Sequence, residues 1–145
     1  MKAMLVHHAD AVGPGVDAER PLSILGRRQA ADLAAAALER GLMPAAIWHS
    51  GKVRSRQTAE AFLRTCSPFA DFRMVRGLHP DDPTHWMRTE LGAEDRDVLL
   101  VGHMPNIARL ARALSPAAAE FPLHGLVLFE RNDVDWVECA RLTPG

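Results

Sequence analysis

The sequence predicts an α/β fold: a three-layer α/β/α sandwich with a mostly parallel central sheet. Short apolar segments of strand type alternate along the chain with amphipathic segments of helix type, the order expected of a layered α/β domain. The clearest strand, DVLLVG at 97–102, is an unbroken apolar run, which is typical of a parallel strand covered on both faces. The 145 residues, 48% of them hydrophobic, suit a single domain over 1–145.

The first half of the chain is predicted to contain three strands and two helices. Ser23 suits the N-cap of the first helix and Gly41 its end, because a serine oxygen accepts a free N–H and glycine tolerates a left-handed backbone. The alanine-rich inner face of this helix predicts close packing. The predicted elements are the strand Lys2–Val6, the loop Ala11–Arg20, the helix Ser23–Arg40, the strand Ala45–His49, the helix Val53–Cys66 and the strand Asp71–Val75.

The second half is predicted to add two helices, the central strand and a C-terminal hairpin. Pro83 suits the first turn of a helix, and Asn132-Asp133 is a typical hairpin turn. Ile107, Leu110 and Leu114 repeat with helical spacing. The predicted elements are the loop His79–Thr84, the helix Pro83–Leu91, the strand Asp97–Gly102, a helix after Pro105, and the strands Leu123–Glu130 and Val134–Cys139.

Composition and charge narrow the class of protein. With 17 basic and 18 acidic residues the net charge is −1, so no strong field favours nucleic acid or an anionic membrane as a partner. The apolar run Met4–Val6 is too short for a signal peptide, and no run reaches membrane-spanning length. Cys66 and Cys139 form no paired motif and are interpreted as two buried, reduced thiols. We therefore expect a soluble, cytoplasmic protein.

Three polar clusters each follow a predicted strand. His7 and His8 follow the first strand, the segment 50–54 follows the second, and His103 follows the fourth. The carboxyl ends of parallel strands share one edge of the sheet, where ligands bind, so these clusters should converge. Arg54 and His103 also lie at predicted helix N-termini, which favour anions. An anion site that contains neutral imidazole indicates phosphoryl transfer to histidine.

The same residues resemble the histidine phosphatase superfamily, which has the phosphoglycerate mutase-like fold, and most of all its SixA-type phosphohistidine phosphatases. Any one motif is weak, but four in the family order are specific. The short chain also fits the SixA type, which lacks the large capping insertions of the mutases. The matching segments are HHAD at 7–10, RPLS at 20–23, SGKVRSRQT at 50–58 and GHMP at 102–105.

The resemblance implies a role for each site residue. His8 would attack phosphorus and form a covalent phosphohistidine that water then hydrolyses. Arg54 and His103 would act with it as catalytic residues, and neither a metal nor a cofactor is implied. The residues assigned to substrate binding are His7, Arg20, Ser50 and His124.

His7 departs from the family pattern, which has arginine there, and Ala9 replaces a glycine. Histidine offers one donor toward a given ligand and titrates near pH 6.5, whereas arginine offers two donors and a permanent charge. We therefore hypothesise that activity survives but is reduced or favoured by acid. A metal site on His7, His8 and Asp10 is disfavoured, because adjacent side chains of an extended chain point apart.

Several functional alternatives remain open from the sequence. The favoured one is a phosphatase that removes phosphate from phosphohistidine on a protein. The others are a small-metabolite phosphomonoesterase and a degenerate phosphate- or phosphoprotein-binding module without turnover; a mutase is disfavoured by length. His79, Asp81 and Asp82 occupy the loop where larger family members keep a general acid, although a solvated turn explains them equally well. The oligomeric state is not indicated.

Overall fold

The computed structural model describes residues 1–145 and contains one six-stranded sheet and four helices. None of the helices has the length and apolar character that crossing a membrane requires. The strands are β1 (Lys2–His7), β2 (Ala46–His49), β3 (Asp71–Met74), β4 (Val98–Gly102), β5 (Leu126–Asn132) and β6 (Asp135–Leu142). The helices are α1 (Ile24–Glu39), α2 (Val53–Cys66), α3 (Thr84–Ala93) and α4 (Asn106–Leu114).

The sheet is mostly parallel, with an antiparallel pair at one side. Its strand order is β3-β2-β4-β1-β5-β6. The four strands from β3 to β1 pair in parallel, whereas β5 runs antiparallel to β1 and β6 antiparallel to β5. The helices between the parallel strands are the crossovers that such pairing requires. The predicted sheet type is confirmed.

Helices cover both faces of the sheet. Successive side chains of a strand point to opposite faces, and β1 divides its residues accordingly. Met4 and Val6 pack in one apolar cluster with Phe62 of α2, and Leu5 packs in another with Ile107 of α4. Two cores of 16 and 14 buried residues therefore flank one sheet, which confirms the three-layer α/β/α architecture.

The helix boundaries follow the capping residues that the sequence suggests. Ser23 caps α1, and its hydroxyl accepts the N–H of Gly26 at 3.0 Å. Gly41, with φ of +73°, follows the end of this helix. Pro83 precedes α3 as its N-cap in extended conformation, one residue outside the helix that was predicted to include it.

The predicted bounds of the C-terminal hairpin are wrong. The chain turns at Leu123 and His124, and β5 begins only at Leu126. The reason is that β1 ends at His7, whose N–H donates to Gly125, so an earlier β5 would have no partner strand. The hairpin turn lies one residue later than predicted, at 133–134, with Asp133 in the left-handed region. Cys139 of β6 is exposed, which corrects the prediction that both thiols are buried; Cys66 is buried.

Candidate active site

The parallel pairing of β1 with β4 brings two histidines together. His7 is opposite Gly102 in this register, so the next residues, His8 and His103, leave the sheet side by side. Their ring centres lie 4.9 Å apart. The convergence that the sequence predicted for these two clusters is therefore present at the carboxyl edge of the sheet.

His8 presents one free ring nitrogen. Its Nδ1–H donates to the carbonyl oxygen of Ala9 at 2.7 Å, since a carbonyl can only accept, and Nε2 makes no hydrogen bond within the protein. Burial is the main cause that lowers the pKa of His8 from 6.5 to about 4, and the charge of Arg54 adds to it. At neutral pH the Nε2 lone pair is therefore available as a nucleophile.

His103 directly follows β4, the parallel strand next to β1. The residue is 1% exposed, and its Nε2 lies 2.7 Å from the hydroxyl oxygen of Ser50. Its Nδ1 is buried and has no partner. Burial, followed by the charge on His8, lowers its pKa to about 2. Ser50, predicted to bind substrate, is itself buried and lies against His103.

Arg54 and Arg20 make the site electropositive. Arg54 lies in the first turn of α2, and its Nε is buried without a partner. Arg20 has a left-handed backbone, with φ of 49°, and its Nε donates to Val12 at 3.0 Å. Burial and the charge of Arg20 lower the pKa of Arg54. Two guanidinium groups that repel each other favour a bound anion.

His7 lies against His8 rather than on the opposite face of the sheet. Its Nδ1 accepts the backbone N–H of His124 at 2.8 Å, so a neutral His7 carries its proton on Nε2. The His7 and His8 rings are 4.5 Å apart, which corrects the expectation that they diverge. The alternation fails because β1 ends at His7 and His8 lies beyond the strand. Burial lowers the pKa of His7 to about 3.

His124 lies in the site, although it is remote in sequence. Its ring stacks on that of His7 at 4.9 Å with an interplanar angle of 9°. Its Nδ1–H donates to the carbonyl oxygen of His8 at 2.8 Å, which leaves Nε2 without a protein partner. His124 has φ of 55°, in the left-handed region that non-glycine residues seldom occupy. The two hydrogen bonds hold this conformation.

Known structures with this fold were found by comparison of structures, whereas no family model and no curated protein matches the sequence. The protein histidine phosphatase SixA complexed with tungstate has a TM-score of 0.90 at 18% identity, over 99% of this chain and 97% of that one. A protein assigned as phosphohistidine phosphatase SixA from Agrobacterium tumefaciens has a TM-score of 0.81 at 26% identity, over 99% and 97%. The chain has the fold of the histidine phosphatase superfamily.

Other phosphatases of this superfamily fold are also similar. A mycobacterial glucosyl-3-phosphoglycerate phosphatase has a TM-score of 0.72 at 17% identity, over 95% of this chain and 96% of that one. The resemblance to the SixA type, inferred from four short motifs, is thus confirmed for the fold of the whole chain.

Two residues of the matching segment 50–58, Gln57 and Thr58, have structural roles that the sequence did not predict. Thr58 is 1% exposed, and its hydroxyl accepts the N–H of Ala9 at 3.0 Å and donates to the carbonyl oxygen of Arg54 at 2.8 Å. Gln57 accepts the N–H of Leu22 at 2.7 Å. These bonds connect α2 to the segments around the loop that follows His8. The Gln-Thr pair in the motif was the sequence signal that could have indicated this structural role.

Asp10 anchors the first loop of the histidine phosphatase fold to α1. Its carboxylate accepts a hydrogen bond from the Ser23 hydroxyl at 2.6 Å, and its N–H donates to Gln29 at 2.9 Å. A Cβ on Gly26 would overlap the Asp10 carbonyl oxygen. Asp10 is therefore a structural residue, and no group of three or more histidine, cysteine or carboxylate side chains is placed to hold a metal ion.

The loop before α3 lies near the site through His79. His79 donates from Nε2 to the carbonyl oxygen of Ser50 at 2.9 Å, and its own N–H donates to the Asp82 carboxylate at 2.9 Å. His79 is also among the charges that lower the pKa of His103. Asp82 thus serves as a turn residue, and Asp81 is exposed.

Proposed function

We propose that this chain is a phosphatase that works through a phosphohistidine intermediate on His8. The observation that carries the proposal is a neutral imidazole with a free Nε2 beside two buried nitrogens without partners, on Arg54 and His103. Buried polar groups in proteins are almost always paired, so unpaired donors beside a nucleophile are best explained by a ligand. Phosphoryl oxygens would satisfy both.

The chemistry follows from these atoms. The Nε2 lone pair of His8 attacks phosphorus, and the bond from phosphorus to the leaving group breaks. The Arg54 guanidinium and the Nδ1–H of His103 stabilise the negative charge on the phosphoryl oxygens, the main source of catalysis in phosphoryl transfer. The Ser50 hydroxyl, by donating to Nε2 of His103, keeps the proton on Nδ1. Water then attacks phosphorus and releases His8.

We propose a histidine-phosphorylated protein as the substrate and the cytoplasm as the location. A small ligand is usually enclosed by a pocket. Four surface cavities, among them one of about 300 Å³ between α1 and α2, are lined by side chains other than His8, Arg54 and His103. An open site suits a phosphoryl group presented by a protein better than a free metabolite.

The intermediate can be trapped. The protein is incubated with radiolabelled phosphoramidate and quenched in alkali, which preserves phosphohistidine. The wild type should retain acid-labile label, and His8→Ala should retain none. His85→Ala is the matched control, because His85 is exposed on α3. Label that persists in His8→Ala would refute the assignment of the nucleophile. Phosphate binding without label or turnover would instead identify a binding module.

The substrate class is tested separately. The value of kcat/KM for a histidine-phosphorylated carrier protein should exceed that for sugar phosphates by at least about tenfold, equivalent to ~1.4 kcal/mol of transition-state binding. A preference for a small phosphate ester would leave the proposed mechanism intact and identify a metabolite phosphomonoesterase.

A further inference from the structure

We infer that His124 is the proton donor to the leaving group and the proton acceptor for the attacking water. The inference rests on the proposed phosphatase function and names a catalytic residue that the family motifs do not contain. His124 comes from the turn between α4 and β5, far in sequence from His8, His103 and Arg54.

The ring of His124 is held in place by two hydrogen bonds and a stacking contact. Its Nδ1–H donates to the His8 carbonyl oxygen, and its backbone N–H donates to Nδ1 of His7, both at 2.8 Å. Its face stacks on His7. A left-handed conformation at a residue with a Cβ costs free energy and is typical of functional sites. The structure thus fixes this imidazole at the nucleophile with Nε2 unpaired.

The separation of the rings suits a shared phosphoryl group. The ring centre of His124 lies 6.3 Å from that of His8, whereas those of His7 and His103 lie 4.5 Å and 4.9 Å from His8. Of these three histidine rings, that of His124 is the most distant from His8. His124 is therefore near enough to His8 for its Nε2 to reach an oxygen bound to the phosphorus on Nε2 of His8.

The other histidines beside His8 are unsuited to exchange protons with water. His7 and His103 are 5% and 1% exposed, and burial keeps both neutral at neutral pH. His124 is half-buried and so remains in contact with solvent. His79 is the remaining histidine near the site that could act as a proton donor. Its Nε2–H already donates to the Ser50 carbonyl oxygen and is not free for a leaving group.

The proton transfers balance over the two steps. When His8 Nε2 forms its bond to phosphorus, the leaving atom keeps the electron pair of the broken bond and takes a proton from Nε2 of His124. His124 is then neutral, with Nδ1–H still donated to His8. When water attacks the phosphohistidine, its proton passes to Nε2 of His124, and the electron pair of the N–P bond returns to His8.

The test uses two esters that differ in their need for a proton. Phenyl phosphate has a poor leaving group, and 2,4-dinitrophenyl phosphate a good one that departs unprotonated. The variant is His124→Asn, because asparagine tolerates the left-handed backbone and its amide can still donate to the His8 carbonyl oxygen. We expect kcat/KM to fall ~10²-fold or more with phenyl phosphate and to change little with the dinitrophenyl ester.

The controls separate a chemical role from a structural one. His85→Asn should leave both rates unchanged. Equal loss on the two esters in His124→Asn would assign His124 to positioning, and unchanged rates would exclude it; either overturns the inference. A leaving-group-dependent loss in His79→Gln, without one in His124→Asn, would also overturn it. The trapping experiment is repeated on these variants. Label retained on His8 would show that the proposed phosphatase function holds even if the role inferred for His124 is wrong.

Discussion

Ser50 and His103 lie 53 residues apart in sequence and meet through a 2.7 Å contact between Oγ and Nε2 at the centre of the site. Both side chains are almost fully buried. Ser50 also accepts the N–H of Lys52 at 3.3 Å, so its hydroxyl hydrogen is free to be donated to the histidine. This contact leaves Nδ1 of His103 as the ring nitrogen without a protein partner.

Ser50→Ala should reduce turnover without abolishing it. The variant leaves a buried imidazole nitrogen unpaired, which costs about 1–3 kcal/mol of stability, and frees His103 to adopt the other tautomer. We expect kcat to fall about tenfold or more, a loss of ~1.4 kcal/mol in transition-state stabilisation. Kinetics and urea denaturation measure the two effects. Ser50→Thr, which keeps the hydroxyl, is the control, and it should lose far less.

Acid should destabilise the fold between pH 6.5 and about 4. Burial lowers the pKa of His7, His8 and His103 from 6.5 to about 3, 4 and 2. In this window the unfolded chain binds protons that the folded chain excludes, so the free energy of unfolding rises with pH and falls on acidification. Each group contributes up to ~1.4 kcal/mol per pH unit. Urea denaturation at pH 5 and pH 7 measures the difference, and His7→Asn should reduce it.

His7→Arg should tighten phosphate binding but slow the reaction. Arginine adds the charge and second donor that the family pattern supplies, so inhibition by inorganic phosphate should strengthen. Arginine has no acceptor for the N–H of His124, however, so the turn that holds His124 should loosen and kcat on phenyl phosphate should fall. Steady-state kinetics from pH 5 to 8 test both. Faster turnover at pH 8 would instead favour the hypothesis of an acid-favoured site made from the sequence.

Two glycines should respond oppositely to alanine. In Gly26→Ala the new Cβ overlaps the Asp10 carbonyl oxygen, so α1 must move away from the loop after His8, and the melting temperature should fall. Gly92 lies within α3 with nothing near its Cβ position, so Gly92→Ala should stabilise the protein by about 0.5–1 kcal/mol. Thermal unfolding of both variants gives the comparison, and similar melting temperatures would contradict it.

The sequence was sufficient for the sheet type and for the meeting of His8 with His103. Both follow from local patterns, since apolar runs mark the strands and polar residues follow their ends. The contacts of His124 could not be derived in this way. They depend on where β1 ends, because that point decides where β5 can begin and leaves residues 122–125 as a turn. The pattern of apolar residues predicted that the strand begins at Leu123, but strand pairing allows β5 to begin only at Leu126.

The close approach of the His7 ring to the His8 ring was not predicted, for a related reason. Alternation of side chains holds only within a strand, and the last strand residue is followed by a change of direction that no local pattern specifies. The hydrogen bonds of the Thr58 and Ser55 hydroxyls likewise could not be predicted from local patterns. Each hydroxyl joins segments that are far apart in sequence, Ser55 by accepting from Ser50 and donating to Val101.

The hydrogen bonds at the end of β1 have a consequence for the rigidity of the site. The amide of His7 is bonded to Gly125, and that of His8 to Gly102. Both amides should therefore exchange with deuterium only when the sheet itself opens, at a rate set by global unfolding. The backbone at His7 and His8 should therefore keep the same conformation when a ligand binds. Any adjustment to ligands of different shape is expected in the exposed segments around the site, above all residues 13–19.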